Sequence, residues 1–354
     1  MPFTGVTVGT GVTITPGASV GSSYYGTIVV GTQSSPFVTA YAWQDGAGFG
    51  SKYADPATLP LSWPYDMTFN AAGTAVLISP NGGNSSPVQA WRWNNGWGTK
   101  YTDPSISNAS GWSAKFSVLG TAVAYSGSTY WLRARAWDDA TGFGTAYTDA
   151  NTITVNLLDL AFSPNGDSIV AAAVSDGLYR WTWNESTGFG SRSNANWGVG
   201  TGAYGVSFSP SGDAVAAALE ISPRVGAYAY SASGFGTKYA DPSVVGGGSY
   251  ATGVTFNPQG GSIVISCNSS SEPVYAYAWN DATGFGTKYA APAVKTSIAN
   301  KVKFNPAGTS VAVAETSSPY LSVYAWNNTT GFGTKYANPT TLPSSAGKSV
   351  AWAP

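Results

Sequence analysis

The chain has 354 residues, of which 43% are hydrophobic and 9% charged, and its formal net charge is −1. This apolar share is enough for a large core, whereas the low charge excludes the basic surface that nucleic-acid binding needs. The chain has no histidine and one cysteine, which excludes an internal disulfide and any catalytic triad or metal site built on imidazole. We therefore expect no nucleic-acid partner, no metal, no cofactor and no enzymatic activity.

The first 23 residues form a segment of their own, rich in Gly, Thr and Val and of short period. The residues expected to carry attachment are Thr4, Val6, Val8, Val12 and Ile14. This segment resembles terminal segments of structural proteins from tailed-phage particles. The resemblance implies a protein partner in a larger assembly. A free tail or an additional edge strand is the alternative reading of residues 1–23.

The rest of the chain, residues 24–354, is built from repeats. A Gly-aromatic-Gly triplet recurs seven times, at intervals of 46 to 50 residues, and begins at Gly48, Gly96, Gly142, Gly188, Gly234, Gly284 and Gly331. A period of this length without a helical pattern is typical of a propeller with one four-stranded blade per repeat. The sequence therefore predicts an all-β, seven-bladed β-propeller with four antiparallel strands per blade.

One repeat illustrates the predicted blade. Residues 254–256, 262–265, 274–279 and 285–289 alternate as strands do, and turn-forming Pro and Gly residues separate the first two. In the third strand, Tyr275, Tyr277 and Trp279 point one way while Ala276 and Ala278 point the other. We expect the bulky face of each blade to pack on the Ala face of its neighbour.

The ring is expected to close by an overlap of the two chain ends. The final residues 348–354 match the inner strand of the preceding repeat, and Trp352 lies 48 residues after Phe304. The continuation of that repeat begins near Tyr25. The C-terminal strand should therefore complete the first blade, which leaves no open sheet at the seam.

A tryptophan followed by Asp or Asn ends the third strand in several repeats, as in Trp137-Asp138 and Trp279-Asn280. This pair resembles the Trp-Asp dipeptide of WD-repeat propellers. The resemblance implies the seven-bladed architecture over roughly residues 24–354. The Gly-His pair of that class is absent, because the chain has no histidine.

Function is expected in the loops, because the repeats share only the scaffold. Aromatic residues without a counterpart in the other repeats occur in the connections between blades and are our candidate binding residues: Trp63, Tyr65, Trp112, Trp197, Tyr204 and Tyr250. Exposed aromatic residues among Ser, Thr and Asn are typical of recognition surfaces. The alternative is that each aromatic side chain caps its own blade.

Two aspartates, Asp66 and Asp159, precede the inner-strand aromatic residue by three positions and can face the central channel. Paired carboxylates are the machinery of glycoside hydrolases, although orientation of the backbone at the start of the strand is the simpler role. This hydrolase is the weakest hypothesis for the chain.

The leading hypothesis is a non-enzymatic interaction module on a rigid propeller, as a structural or receptor-facing component of a phage virion or another extracellular assembly. A glycan-binding propeller lectin and an intracellular protein-interaction scaffold are the alternatives. A glycan or a surface receptor would bind the loop face. The chain shows neither a signal peptide nor a membrane-spanning segment, so we expect no membrane insertion, and a cytoplasmic location remains open.

Overall fold

The computed structural model of the chain describes residues 25–82, 86–104, 106, 110–128, 131–150, 153–195, 201–243, 249–294 and 296–354. The predicted N-terminal segment 1–23, with all of its candidate attachment residues, lies outside these ranges, and so does Trp197. Within the described ranges the strands form seven four-stranded antiparallel sheets. The predicted all-β, seven-bladed propeller is confirmed.

Each blade has four strand positions, and the strands are numbered in chain order. The inner strands, which line the central axis, are β28 (Gly347–Trp352), β4 (Pro64–Phe69), β8 (Gly111–Phe116), β12 (Leu157–Phe162), β16 (Ala203–Phe208), β20 (Ala251–Phe256) and β24 (Ala299–Phe304). The second strands are β1 (Tyr25–Thr32), β5 (Ala75–Pro80), β9 (Ala122–Gly127), β13 (Ser168–Ala173), β17 (Ala214–Leu219), β21 (Ser262–Cys267) and β25 (Ser310–Glu315). The third strands are β2 (Val38–Gln44), β6 (Gln89–Trp93), β10 (Trp131–Asp138), β14 (Gly177–Asn184), β18 (Val225–Ser231), β22 (Val274–Asn280) and β26 (Leu321–Asn327). The outer strands are β3 (Gly48–Lys52), β7 (Trp97–Lys100), β11 (Gly142–Ala146), β15 (Gly188–Ala195), β19 (Gly234–Lys238), β23 (Gly284–Lys288) and β27 (Gly331–Lys335).

The ring closes within the first blade, as the sequence predicts. Strand β28 pairs antiparallel with β1, with Val350 opposite Val30 and Trp352 opposite Ile28. The sheet order is β28-β1-β2-β3, so the last strand of the chain is the inner strand of the first blade. The two ends of the chain therefore stabilise each other, and no inner strand is missing from the ring.

The core consists of layers between neighbouring blades. In one layer Tyr277 and Trp279 of β22 pack against Ala216 and Ala218 of the preceding blade, all of them buried. Because side chains alternate along a strand, a third strand such as β22 presents rings to one neighbour and small residues to the other. The predicted pairing of bulky and small faces fills the space in this layer, whereas β14 carries larger side chains on the face opposite its rings.

A tyrosine just after most outer strands ties each blade to the next one. The ring of Tyr101 lies 4.9 Å from that of Trp137 in the following blade, and its hydroxyl donates a 2.7 Å hydrogen bond to the carbonyl oxygen of Asp139. The same edge-to-face contact recurs in the pairs Tyr53–Trp93, Tyr147–Trp183, Tyr239–Trp279, Tyr289–Trp326 and Tyr336–Trp43. The hydroxyls of Tyr147, Tyr239 and Tyr289 also donate to a backbone carbonyl of the next blade, as that of Tyr101 does.

The side chain two positions after the Trp of the third strand makes a second link, from its own blade back to the preceding one. Asp139 accepts hydrogen bonds from Trp137 Nε1 at 2.6 Å, from Asn70 Nδ2 at 2.9 Å and from Thr74 Oγ1 at 2.8 Å. Asn70 and Thr74 belong to the turn after the inner strand of the preceding blade. Asp45, Asp281 and Asn328 also accept a hydrogen bond from their own Trp or from the preceding blade. These contacts hold the blades together in a chain that lacks histidine.

We expect Asp139→Ala to lower the free energy of unfolding by about 1–2 kcal/mol, because the amide of buried Asn70 loses its partner across the blades. Urea unfolding monitored by tryptophan fluorescence measures the change. Asp241→Ala is the matched control, since the exposed ion pair of Asp241 with Lys238 contributes less than about 1 kcal/mol. Equal effects of the two substitutions would contradict a role of Asp139 between blades.

Candidate functional site

A cavity opens where the inner strands begin, at one end of the central channel. Its volume is about 380 Å³, which is within the usual range for a small-molecule site. We call it the mouth pocket and define it by its lining residues: Trp63, Tyr65, Trp112, Asn156, Leu158, Val174, Tyr204, Tyr250, Thr252, Asn300, Lys301 and Lys348. The second residue of every inner strand lines this pocket, so all seven blades contribute to its wall.

Five of the six predicted binding residues lie together in the mouth pocket. On one side the rings of Trp63 and Tyr65 are 4.4 Å apart, and those of Tyr65 and Trp112 are 4.3 Å apart. On the other side Tyr204 and Tyr250 stack at 5.0 Å. All five side chains are half-buried. The structure thus gives them a common cavity, while their role in binding remains a prediction.

Two of these tyrosines stay protonated at neutral pH. Burial raises the pKa of the Tyr65 phenol above its ordinary value. Burial also raises the pKa of Tyr204, with smaller contributions from Glu220 and Tyr250. Both hydroxyl groups are therefore hydrogen-bond donors as well as acceptors in the mouth pocket.

Two lysines that the sequence analysis did not select supply positive charge to the mouth pocket. Lys348 Nζ lies 5.3 Å from the ring centroid of Trp63, and burial lowers the pKa of this amine. Lys301 lies deeper, where its Nζ is 3.3 Å from Asp159 Oδ2. Lys348 occupies the same strand position as Tyr65 and Trp112, and a comparison of the repeats at that position would have found it.

A donor and an acceptor in the wall of the mouth pocket have no partner. Trp112 Nε1 and Asn156 Oδ1 are buried atoms without a hydrogen bond to any described residue. Buried polar atoms are nearly always hydrogen-bonded, so an unpaired one requires an explanation. A polar ligand that accepts from the indole N–H and donates to the amide oxygen would satisfy both atoms.

Beneath the mouth pocket the channel holds a network of charged groups, which we call the channel cluster: Asp66, Ser113, Lys115, Asp159 and Lys301. Lys115 forms an ion pair with Asp66 and lies 3.3 Å from Asp159 Oδ1. Ser113 Oγ donates to Asp66 Oδ2 at 2.6 Å and to Asp159 Oδ1 at 3.2 Å. Burial alone would lower the pKa of Lys115, but the two aspartates raise it overall.

The channel cluster does not fit the two-carboxylate hydrolase. That mechanism needs one carboxylic acid of raised pKa and one carboxylate on either side of the substrate. Burial by itself would raise the pKa of Asp159, but Lys301 and Lys115 lower it well below its ordinary value. Asp66 and Asp159 share Ser113 and Lys115 as partners, so their contacts are those of an ion-pair network.

Known proteins resemble this chain in structure but not detectably in sequence. No protein-family profile and no curated protein matches it. A periplasmic gluconolactonase from Pseudomonas aeruginosa is 15% identical and superposes with a TM-score of 0.72, covering 94% of this chain and 99% of that protein. A putative 6-phosphogluconolactonase from Bacteroides fragilis is 14% identical, with a TM-score of 0.75 and coverages of 95% and 99%. The chain shares their fold. A third protein with this fold is a putative 6-phosphogluconolactonase from Bacteroides uniformis. It is 16% identical, with a TM-score of 0.71 and coverages of 93% of this chain and 99% of that protein.

These comparisons contradict two of our expectations. The prediction of a non-enzymatic interaction module in a virion or a similar assembly is contradicted, as are its lectin and scaffold alternatives, because three whole-length structural neighbours are described as a gluconolactonase or as putative 6-phosphogluconolactonases. The prediction that the chain is not an enzyme is wrong for the same reason. That expectation weighed histidine and paired carboxylates as sources of catalysis and left out lysine and tyrosine, which also transfer protons.

The described part of the chain contains no helix long and apolar enough to cross a bilayer.

Proposed function

We propose that the protein is a hydrolase that opens a carbohydrate-derived lactone in the mouth pocket. The observation that carries this proposal is the mouth pocket itself, which combines aromatic walls, two lysines and an unpaired donor and acceptor in one cavity. The structural neighbours described as gluconolactonase and putative 6-phosphogluconolactonases support the substrate class.

The walls of the mouth pocket suit a sugar ring. The apolar C–H face of such a ring packs on aromatic side chains, and the pocket offers them on two sides, at Trp112 and at the Tyr204–Tyr250 stack. The hydroxyl groups of the ring need donors and acceptors, which Trp112 Nε1 and Asn156 Oδ1 provide. Binding would therefore satisfy the two buried atoms that the free protein leaves unpaired.

The lysines provide the chemistry of ring opening. Lys348, whose pKa burial lowers, takes a proton from a water molecule as the water oxygen adds to the lactone carbonyl carbon. The ammonium of Lys301 stabilises the negative charge that develops on the carbonyl oxygen. The ring C–O bond then breaks, and the departing ring oxygen takes the proton from Lys348. One lactone and one water thus give one hydroxy acid, which releases its acid proton to solvent and leaves its carboxylate near Lys301.

We expect Lys348→Met to lower kcat for glucono-δ-lactone by about 10²–10⁴-fold, because the variant has no base to accept the proton of water. Lys348→Arg should be equally inactive, because its guanidinium keeps the positive charge and stays protonated, so it cannot accept a proton from water. Wild-type kcat should rise with pH as Lys348 loses its proton. Acid release at constant pH, corrected for spontaneous hydrolysis, measures these rates.

The control for this experiment is Lys238→Met, which removes an exposed lysine of an outer strand. This variant should keep the wild-type rate, and all three variants should keep the thermal unfolding midpoint of the wild type. Turnover by Lys348→Arg at the wild-type rate would show that Lys348 acts through its charge alone. Absence of lactone opening by the wild-type protein would overturn the proposed function.

Three further expectations from the sequence stay proposals. We propose that residues 1–23 are a separate segment that attaches the propeller, residues 24–354, to a protein partner. Size-exclusion chromatography of the chain with and without residues 1–23 tests this.

We also propose an architectural kinship with WD-repeat propellers. It is supported by Asp138, whose Oδ1 accepts hydrogen bonds from the backbone N–H groups of Ala140 and Thr141. A place of action outside the cytoplasm is supported by the periplasmic location of one structural neighbour.

A further inference from the structure

The opposite end of the channel, where the inner strands end, has an opening of its own. Two cavities of about 430 and 440 Å³ lie there side by side, and both are lined by Thr68, Phe69, Lys115 and Lys303. We call this opening the lower mouth. Lys303 is two residues beyond Lys301 on β24, which corresponds to about 7 Å along the strand. The channel cluster separates the lower mouth from the mouth pocket.

The lower mouth carries positive charge that the protein does not neutralise. Lys115 and Lys301 have carboxylate partners in Asp66 and Asp159. Lys303 has none within ion-pair distance among the described residues. No described Asp or Glu side chain lines either cavity of the lower mouth. Among the described residues, Lys115 and Lys303 both line the lower mouth, and Lys303 is the one of these two without a carboxylate partner.

The surroundings of Lys303 make this excess charge costly. Burial lowers the pKa of Lys303, Lys115 lowers it further, and Asp159 and Asp66 oppose these effects without cancelling them. A charge taken out of water without a partner is unfavourable unless a counter-charge accompanies it. An anion at this point would therefore be bound by two ammonium groups that repel each other in its absence.

Hydroxyl groups at the same strand position as Lys115 and Lys303 also line the lower mouth, beside polar groups such as the Asn70 and Asn305 side chains. Thr68 Oγ1 and Thr255 Oγ1 donate long bonds of 3.3 and 3.4 Å to the carbonyl oxygens of their neighbours Phe69 and Phe256. Such bonds are weak, so either hydroxyl can turn to donate to a stronger acceptor. An anionic oxygen is a stronger acceptor than a backbone carbonyl, because hydrogen bonds to it are charge-assisted.

We propose that the lower mouth is a second ligand site, which binds a small oxyanion such as sulfate, phosphate or a carboxylate between Lys115 and Lys303. This site lies outside the mouth pocket and does not depend on the proposed lactone hydrolysis. Its ligand needs only a compact negative charge and several acceptor oxygens.

Isothermal titration calorimetry of the full chain with sulfate tests this proposal, because sulfate keeps its charge as the pH changes. We expect saturable binding to the wild-type protein, binding at least about tenfold weaker in Lys303→Met, and near wild-type binding in Lys303→Arg. Lys348→Met, in the mouth pocket, is the matched control and should bind sulfate as the wild type does. Affinity should fall at alkaline pH, because Lys303 must be protonated to bind an anion.

Folding does not confound this test. Lys303→Met removes an uncompensated, half-buried charge and should leave the thermal unfolding midpoint unchanged or raise it. The absence of saturable sulfate binding in the wild type would overturn the proposal, as would equal affinities of the wild type and Lys303→Met. Loss of binding in Lys348→Met but not in Lys303→Met would also overturn it, since it would place the anion in the mouth pocket.

Discussion

Replacing Lys115 with methionine is expected to lower the free energy of unfolding by about 3–5 kcal/mol at neutral pH. Asp66 and Asp159 are both buried and both contact Lys115. Methionine fills a similar volume but carries no charge, so two buried carboxylates would be left with less positive charge than they need. Chemical denaturation followed by tryptophan fluorescence measures the loss.

The pH dependence of stability gives this prediction a second signature. The folded-state pKa of Asp159 is below its ordinary value, so its contribution to stability is fully present above the ordinary aspartate pKa and is lost as the pH falls toward the folded-state value. In Lys115→Met that pKa should rise, and the variant should lose less stability than the wild type on acidification. Lys303→Met is the matched control, because it removes a neighbouring lysine without a carboxylate partner. Equal stability of Lys115→Met and the wild type would contradict the role of the ion pairs.

Deleting residues 347–354 is expected to abolish cooperative unfolding at 25 °C. The deletion removes the inner strand β28, with buried Val350 and Trp352, and it exposes the edge of β1. Loss of a buried Trp alone costs about 3–5 kcal/mol, and the loss of the strand pairing adds to it. The sum approaches the total stability of a typical protein, about 5–15 kcal/mol. Differential scanning calorimetry distinguishes a cooperative transition from none.

Lys348→Met serves as the control for the deletion, since it changes β28 at one half-buried position and keeps the strand. It should unfold cooperatively with the wild-type midpoint. A truncated chain that unfolds cooperatively within about 1 kcal/mol of the full chain would show that ring closure through β28 is not what stabilises the propeller.

The sequence was sufficient for the architecture because every blade repeats the same local pattern. The Gly-aromatic-Gly triplets begin outer strands such as Gly284–Lys288, and the inner-strand aromatic residues end strands such as Ala251–Phe256. Closure of the ring by the C-terminal strand was predicted because Trp352 matches Phe304, which lies one repeat period earlier in the chain. Seven copies of one pattern average out the uncertainty that a single strand prediction would have.

The contacts between blades could not be derived from the pattern in the same way. The Trp-Asp resemblance drew attention to Asp138, which caps its own turn, whereas the neighbouring Asp139 makes the contacts to the preceding blade. Which side chain reaches across depends on the angle between blades, and spacing along the chain contains no information about that angle.

The candidate site could be predicted only in part, because it also depends on how the blades are arranged around the ring. The aromatic residues of the mouth pocket stand out by residue type, whereas Lys348 stands out only when the repeats are compared at its own strand position. Asp66 and Asp159 were selected as channel residues, but their partner Lys115 lies on another blade. Only the closed ring brings residues so far apart in the chain into one cluster.

A crystal structure of the protein with gluconate, the product of opening glucono-δ-lactone, tests the central claim most directly. The account predicts one gluconate in the mouth pocket, with its hydroxyl groups on Trp112 Nε1 and Asn156 Oδ1 and its carboxylate toward Lys301 and Lys348. A mouth pocket that stays empty at saturating gluconate while open to solvent, or gluconate bound only elsewhere on the propeller, would contradict it.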